Sequence, residues 1–420
     1  MTERLYYTDS FLTEFEARVG AVKREAGEVA VTLDRSAFYP TSGGQVFDTG
    51  WIELPGTSDP GRMRVKDVAE NEQTGEVLHI VESGADILQP GAVVRGVIDA
   101  DRRRDHMQQH SGQHVLSAAF ERLYGFPTVS FHMGEESCTI DLASDAVSPK
   151  QLESVEKLAN EVIAEDRPVS IRFATPEEAR AMGVRKIPAT QRDQLRLVEV
   201  LDFDLNACGG THVRSTGQIG AILLRKPEKV KQGVRVEFVC GLRAVRTARR
   251  DFETLTEAAA LFSTHLWDLP QQVRKSLDEI KSAQKAQHHL LEEVADLQAE
   301  SLLQAAESRG EYKLVVQFFP DRDLAYIKML AQKLTRNRAA VALLACGGSQ
   351  PSLVFGQTPG LGNDMGTLMK QTVQQLGTRG GGNRDMAQGG APDRASAEQA
   401  LSQAASALGF TENRQLTTGN

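Results

Sequence analysis

Over the first hundred residues, apolar and polar side chains alternate with period two. Glu28-Val29-Ala30-Val31-Thr32-Leu33 and Val93-Val94-Arg95-Gly96-Val97-Ile98 are two such runs, and Gly, Pro, Asn and Asp interrupt the chain at short intervals. Alternation puts one face of a strand inside and one outside, so residues 1–98 are predicted to form a β module, barrel-like. The period then changes. Leu116, Phe120 and Leu123 share a helical stripe between Asp99 and Gly125, and Leu152, Val155, Leu158, Val162 and Ile163 do so between Pro149 and Asp166. Ser137 to Leu142 alternates again, and residues 197–239 look mostly extended. Residues 99–250 are therefore expected to form an α+β core.

A tract from Leu269 to Ser308 lacks glycine. Val273, Ile280, Gln287 and Val294 repeat every seven residues, with Ser276, Ala283, Leu290 and Leu297 in a second register. Polar defects weaken this heptad, so residues 251–310 are expected to be a helical hairpin or a coiled coil. Beyond it, Lys313 to Phe319 and Ala339 to Ala345 read as buried strands, separated by helices at about 324–336 and 363–376. Residues 311–420 thus form a small α/β domain with a Gly-rich loop from Thr378 to Gly390, and the last ten residues are expected to fray.

Composition narrows the class. The 420 residues are 40% hydrophobic and 25% charged, ordinary for a globular chain. The longest apolar run, Ala339 to Cys346, is far short of the ~20 residues that span a bilayer, so no membrane partner is expected. The N-terminus lacks the basic-then-apolar order of a secretory signal. Cys138, Cys208, Cys240 and Cys346 are too few and too scattered for a disulfide scaffold, which points to a reducing cytoplasm. Net charge is −8, yet ten Lys/Arg face only Glu228 and Glu237 between Arg214 and Arg250. That segment is either a solvated face or a phosphate-binding patch.

The chemistry concentrates in histidine and cysteine. His106, His110 and His114 recur every four residues on one predicted helix. Side chains at i and i+4 stack on one face, so two imidazoles can meet one ion. Alone, such a pair is often only polar surface. Cys208-Gly209-Gly210-Thr211-His212 adds a thiolate and an imidazole around a tight glycine turn. Three imidazoles and a thiolate are a donor set typical of zinc. The other three cysteines read as small buried apolar residues.

With these motifs in hand, the chain resembles the editing domain of alanyl-tRNA synthetase and its free-standing AlaX relatives. The resemblance rests on Asp105-His106-Met107-Gln108-Gln109-His110-Ser111-Gly112-Gln113-His114 and on Cys208 to His212. Phe38-Tyr39-Pro40-Thr41-Ser42-Gly43-Gly44-Gln45 and Thr216-Gly217-Gln218-Ile219-Gly220 are similar to further family segments, and the Gly380–Gly390 loop to that of a DHHA1 domain. It implies one zinc ion per chain on His110, His114, Cys208 and His212, with His106 left to the pocket wall. It places amino-acid recognition at Gln45, Thr41, Ser36, Gly43 and Gly44. Ser36 stands where the family usually has Thr, and Asn383 where a fourth glycine is common.

The implied reaction is hydrolysis of seryl- or glycyl-tRNA(Ala) at the aminoacyl ester, with the tRNA(Ala) acceptor end as partner. Arg243, Arg246, Gly380, Gly381 and Gly382 are the expected tRNA contacts, and the helical and C-terminal regions the expected homodimer interface. No general base is assigned; Glu135, Glu136 and Asp141 are acidic candidates nearby in sequence. A tetrahedral ion with four protein ligands is the structural pattern, whereas catalytic zinc keeps an open position. Two other readings remain: a threonyl-type editing deacylase, and a non-catalytic zinc-stabilised tRNA-binding or dimerisation protein. Nothing resembles a class II synthetase catalytic domain and no G-x-x-x-x-G-K-[ST] loop occurs, so amino-acid activation with ATP is not expected.

Overall fold

The computed structural model describes residues 2–25, 28–55, 61–71, 73–82, 85–184, 193–231, 233–336, 338–348 and 350–410. The expected frayed tail lies outside them. The chain divides into two compact units, one up to Glu257 and one from Ala258. The fold is mixed α and β, with eight α-helices and one closed barrel among the described residues.

The first unit opens with Glu3–Arg4 (β1). Glu14–Glu25 (β2) and Glu28–Leu33 (β3) follow, then Arg35–Ser36 (β4), Gly50–Glu53 (β5), Arg62–Glu70 (β6), Val77–Val81 (β7) and Val93–Ile98 (β8). β1 pairs with β4, while the other six close a barrel in the order β2-β3-β7-β6-β5-β8. Closure leaves no free edge. Val31, Ile52, Val65, Val81, Val94 and Phe38 fill it. Along β8 the expected alternation holds, with Val94, Gly96 and Ile98 buried.

Next comes the helix Ala100–Tyr124 (α1), which Gly125 ends in the left-handed region at φ 66. Of the sequence stripe, Leu116 and Phe120 are buried while Leu123 is 43% exposed, and every residue from Gln109 to Phe120 is buried. α1 is the central element of the unit. Fully buried Arg103 ties it to the barrel by donating to Asp48, to the Ser10 carbonyl at 2.7 Å and to the Ala37 carbonyl.

Around α1 lie Thr128–Met133 (β9), Cys138–Leu142 (β10), Pro149–Ala164 (α2), Val169–Ala174 (β11) and Pro176–Ala181 (α3). Then come Leu195–Val200 (β12), Asp204–Ala207 (β13), Ile222–Val230 (β14), Gly233–Cys240 (β15) and Gly241–Leu261 (α4). Ser148 starts α2 with a capping box to Gln151. Two sheets result, β14-β15-β10-β9 and β11-β12-β13. α1, α2 and the four-stranded sheet share one core, built on Leu116, Phe120, Ile140, Val155 and Phe238.

The second unit contains one unbroken helix, Leu269–Ala305 (α5). The hairpin alternative within this tract is therefore not formed. Ala295, Ala299 and Leu303 are its buried positions, a stripe that belongs to neither heptad register. Small residues there let Leu324–Arg336 (α6) approach, with Tyr326 donating to Gln298 at 2.6 Å. Glu307–Arg309 (β16), Tyr312–Phe319 (β17), Ala340–Cys346 (β18), Ser352–Gln357 (β19), Met365–Gln375 (α7), Gly380–Gly382 (β20), Met386–Gly390 (β21) and Arg394–Ala407 (α8) complete the unit. Its sheet runs β16-β17-β18-β19-β21-β20. The Gly-rich stretch expected as a loop is an edge hairpin. A Cβ on Gly382 would lie 2.2 Å from the Met386 carbonyl, so glycine permits the pairing. Asn383 closes the turn by accepting from the Asp385 and Met386 amides at 3.0 and 2.8 Å, which accounts for a non-glycine residue there.

Candidate metal centre

The i,i+4 spacing on α1 brings His110 and His114 side by side, ring centroids 5.4 Å apart. β13 delivers the opposing group. Asp204 and Asn206 are its buried face, and the chain then turns through Cys208-Gly209-Gly210 to His212. The turn has no room for a side chain: a Cβ on Gly210 would lie 2.1 Å from His110 Cε1. The donor atoms of His110, His114, Cys208 and His212 all lie within 4.8 Å of one another. Cys208 Sγ is 3.3 Å from Nε2 of both His110 and His212. Ligands about 2.0–2.3 Å from one tetrahedral ion would sit at such separations.

The outward ring nitrogens are each held. His110 Nδ1 donates to Gln45 Oε1 at 2.8 Å, His114 Nδ1 to Asp204 at 3.1 Å, and His212 Nδ1 to Ser111 Oγ at 3.2 Å. These bonds fix the tautomers and turn all three Nε2 atoms inward. Asn206 donates to Asp204, and the Val213 amide to Ser111. Burial raises the Cys208 thiol, but His110 and His212 outweigh it and hold the group well below its ordinary value. Burial lowers His114, yet the bonds to Asp204 and Cys208 carry it up to about 9. Burial leaves His212 at about 3. A ready thiolate among imidazoles fits a soft divalent metal such as zinc.

Beside the cluster is a cavity of about 490 Å³. His110, Gln113, His114 and Glu121 line it from α1, Thr128 to Phe131 from β9, and Asn206 to Cys208 from β13 and the turn. Gly43 also reaches it. Gly44, at φ 84, is pressed so close that a Cβ would lie 2.4 Å from the Phe131 carbonyl.

Other expected site residues lie elsewhere. Gln45 is fully buried and committed. Its Oε1 accepts from His110 and from the Thr211 amide at 3.0 Å, and its Nε2 donates to Thr211 Oγ1 at 2.9 Å. It supports the metal cluster and does not face the cavity. Ser36 is buried at the barrel wall, 2.7 Å from His79 Nε2 and accepting from the Phe38 amide. Thr41 is exposed and lines a separate cavity with Asp67 and Glu70. His106 is buried on α1, and its Nδ1 has no partner among the described residues. Burial, with Arg102, Arg243 and Arg103 nearby, lowers it to about 3. Glu135, Glu136 and Asp141 are not in the cavity wall; Asp141 is held by Arg235 at 2.7 Å and by Ser130.

Half of the ten cations of the basic segment are paired with acidic residues distant in sequence. Arg214 pairs with Asp9, Arg225 with Asp251, Arg235 with Asp141, Arg243 with Asp105 and Arg250 with Glu136. Arg243 is 5% exposed and also donates to the Gly134 carbonyl at 2.6 Å, so it anchors α4 and is not presented to a phosphate. Arg246 is exposed. Gly380 to Gly382 sit at a sheet edge of the second unit.

The sequence motifs do not reveal Asp204, Asn206 and Glu121, and they give no role to Ser111 and Gln113 inside the histidine motif. Asp204 and Asn206 carry one usable signal: with Cys208 they alternate along one face of a short strand.

Residues 195–236 match the family described as the threonyl and alanyl tRNA synthetase second additional domain. Residues 4–102 match the one described as tRNA synthetases class II (A), a likeness absent from the sequence motifs, and here most of that stretch is the barrel. The barrel and metal-site domain therefore define a protein of the synthetase-editing class. The alanyl-tRNA editing protein AlaX-L of Pyrococcus horikoshii is 30% identical over 394 residues, covering 93% of this chain and 94% of that one. The chain belongs to the AlaX family of alanyl-tRNA editing proteins. The alanine–tRNA ligases of Archaeoglobus fulgidus and Thermus thermophilus are each 34% identical over 92% and 90% of this chain, which spans only 42% and 44% of their length.

Proposed function

We propose that the chain is a zinc-dependent aminoacyl-tRNA deacylase that cleaves the ester of seryl- or glycyl-tRNA(Ala). One observation carries this reading. A cavity of about 490 Å³ opens directly on His110, His114 and Cys208, three of four groups arranged for one metal ion. Its size is within the range for sites that take a small ligand. Alanine's own pocket cannot strongly reject a smaller residue or one bearing an added hydroxyl, so a second, hydrolytic site is the chemical remedy.

His110, His114, Cys208 and His212 would hold the zinc, and the bound ion would supply Lewis acidity or order the pocket. The chain's own part is orientation: Gln45, Asp204 and Ser111 keep the imidazoles in register. Val129, Phe131 and Pro127 give the cavity an apolar side suited to exclude water. Glu121 is the carboxylate in the wall, at its far end from the metal ligands along α1.

The same reading divides the chain into a β module at 1–98, an editing core at 99–250, a helical linker at 251–310 and a DHHA1-like domain at 311–420. Exposed Arg246 and the Gly380–Gly382 edge are proposed to meet the tRNA. The exposed apolar positions of α5, including Leu290 at 61% and Leu297 at 69%, are proposed to pair with a second copy. Among the described residues no helix is long and apolar enough to cross a membrane. A cytoplasmic setting suits the four free cysteines.

Deacylation assays with seryl-, glycyl- and alanyl-tRNA(Ala), and seryl-tRNA(Thr), test the proposal. Hydrolysis of the first two, with alanyl-tRNA spared, is expected. Cleavage of seryl-tRNA(Thr) alone would mark a threonyl-type deacylase. Tight tRNA binding with no cleavage would mark a non-catalytic binding protein.

A further inference from the structure

Gln113 stands on the cavity face of α1, between His110 and His114 in sequence and in the same wall. It is 9% exposed, and that remainder faces the cavity it lines. Its Nε2 donates to Ser117 Oγ at 2.8 Å, one helical turn on. Ser117 Oγ also accepts from Thr128 Oγ1 at 2.7 Å, across to β9. With Ser117 Oγ accepting from both Gln113 and Thr128, the amide sits with Nε2 on the serine. Nε2 is occupied, and Oε1 has no protein partner among the described residues.

A fixed, nearly buried acceptor beside a reaction centre favours a ligand that brings a hydroxyl and penalises one that does not. Gln45 cannot fill that role, because both ends of its amide are spent on His110 and Thr211. Asn206, the other amide in the wall, has its Nδ2 turned to Asp204 at 3.2 Å and so belongs to the support of His114.

We propose that Gln113 is the specificity-determining residue of this site, its Oε1 accepting the side-chain hydroxyl of a seryl group. The inference rests on the deacylase reading above. Glycyl and alanyl groups lack the donor and leave Oε1 unpaired. The α-ammonium is common to all three groups, so an acceptor placed for it would discriminate nothing.

The test uses the full chain as purified with its metal. The probes are seryl, glycyl and alanyl amides of 3′-amino-3′-deoxyadenosine, which cannot be hydrolysed. Gln113→Leu should weaken binding of the seryl probe by roughly tenfold and leave the other two within about twofold, the size of one missing hydrogen bond. Gln113→Glu keeps an acceptor and should restore seryl binding. Ser117→Ala frees the amide to rotate and should give an intermediate seryl loss. Deacylation rates should follow the same order. Equal losses on all three probes, or none on the seryl probe, would overturn the assignment. If the native chain binds the probes but cleaves no mischarged tRNA, the deacylase reading fails and the binding series still decides on Gln113. If it binds none of them, both fall.

Discussion

Gln45 Oε1 accepts a 2.8 Å hydrogen bond from His110 Nδ1 across 65 positions of sequence. The same oxygen takes the Thr211 amide, so one side chain joins the helix-borne and turn-borne halves of the metal cluster. The glycine turn before Gln45 thus delivers a support for His110, one of the four groups placed to hold a metal ion. That explains why so polar a side chain can be fully buried: its oxygen and its amino group are both satisfied.

Gln45→Ala should therefore act on the metal. Loss of an outer partner of a ligating histidine typically costs about 10–100-fold in metal affinity. Chelator competition should show a loss of that size. Seryl and glycyl hydrolysis should fall together at limiting zinc and recover together at high zinc. A selective seryl loss at saturating zinc would return Gln45 to substrate recognition.

The donor set itself makes a second prediction. Elemental analysis of the purified chain should find one zinc per protomer, and Cys208→Ala should abolish it. Asp204→Asn keeps shape but removes the charge facing His114, and should weaken binding less than Cys208→Ala does. Full zinc occupancy in Cys208→Ala would reject the cluster as the site.

What the sequence discloses about this site is what local geometry dictates. His110 and His114 are neighbours because a helix places i and i+4 on one face, and Cys208 and His212 because a glycine turn folds back on itself. Asp204 and Ser111 act 90 and 101 positions from their histidines, and no periodicity encodes such pairing. The basic segment misleads in the same way. Its excess charge is real in sequence, but Asp9, Asp105, Glu136 and Asp141 return from other elements to neutralise part of it. The barrel is legible because alternation over short strands is local. That α1 runs through the middle of its unit is not, because polar Gln109 and His110 are buried there by Cys240 and Gln45, partners the helix pattern cannot show.

tRNA binding should depend on the cations that remain unpaired. Arg246 and Arg249 on α4 have no acidic partner within 4 Å among the described residues, and both are exposed. Arg246→Glu with Arg249→Glu should lower tRNA affinity and flatten its salt dependence by about 0.7–0.9 log units per log unit of salt for each phosphate no longer neutralised. An unchanged salt slope would make α4 a solvated face. Arg243→Glu is expected to destabilise the fold instead, since it sets a buried carboxylate against Asp105.

α5 gives a prediction about assembly. Its Ala295–Ala299–Leu303 stripe is covered within the chain, but Ile280, Leu290 and Leu297 are 53%, 61% and 69% exposed. Water-exposed leucines at this spacing are stabilised by a second helix. Light scattering on the full chain should give a dimer, and Leu290→Asp with Leu297→Asp should give a folded monomer. A monomeric native chain at tens of micromolar would remove the pairing proposal.

The last prediction concerns His79, buried in the barrel wall away from the metal site. Its Nδ1 donates to the Val31 carbonyl at 2.8 Å, and its Nε2 lies 2.7 Å from Ser36 Oγ. With Nδ1 protonated, Nε2 accepts the serine proton, so the neutral ring satisfies both partners and a second proton has nowhere to go. Burial lowers the ring from its ordinary 6.5 to about 4, the Val31 carbonyl opposing only in part. Above pH 6.5 the ring is neutral in folded and unfolded chains alike, and the full stability is present. As pH falls from about 6.5 to 4, the unfolded chain takes up a proton that the folded one resists, so stability declines. Below about pH 4 the loss levels off at roughly 3 kcal/mol. His79→Gln keeps a donor for Val31 and cannot charge. Urea unfolding of the first unit should show the variant somewhat less stable than the native chain near neutrality, with a shallower decline across that window. Parallel declines in both proteins would show that His79 does not set the acid limit of the barrel.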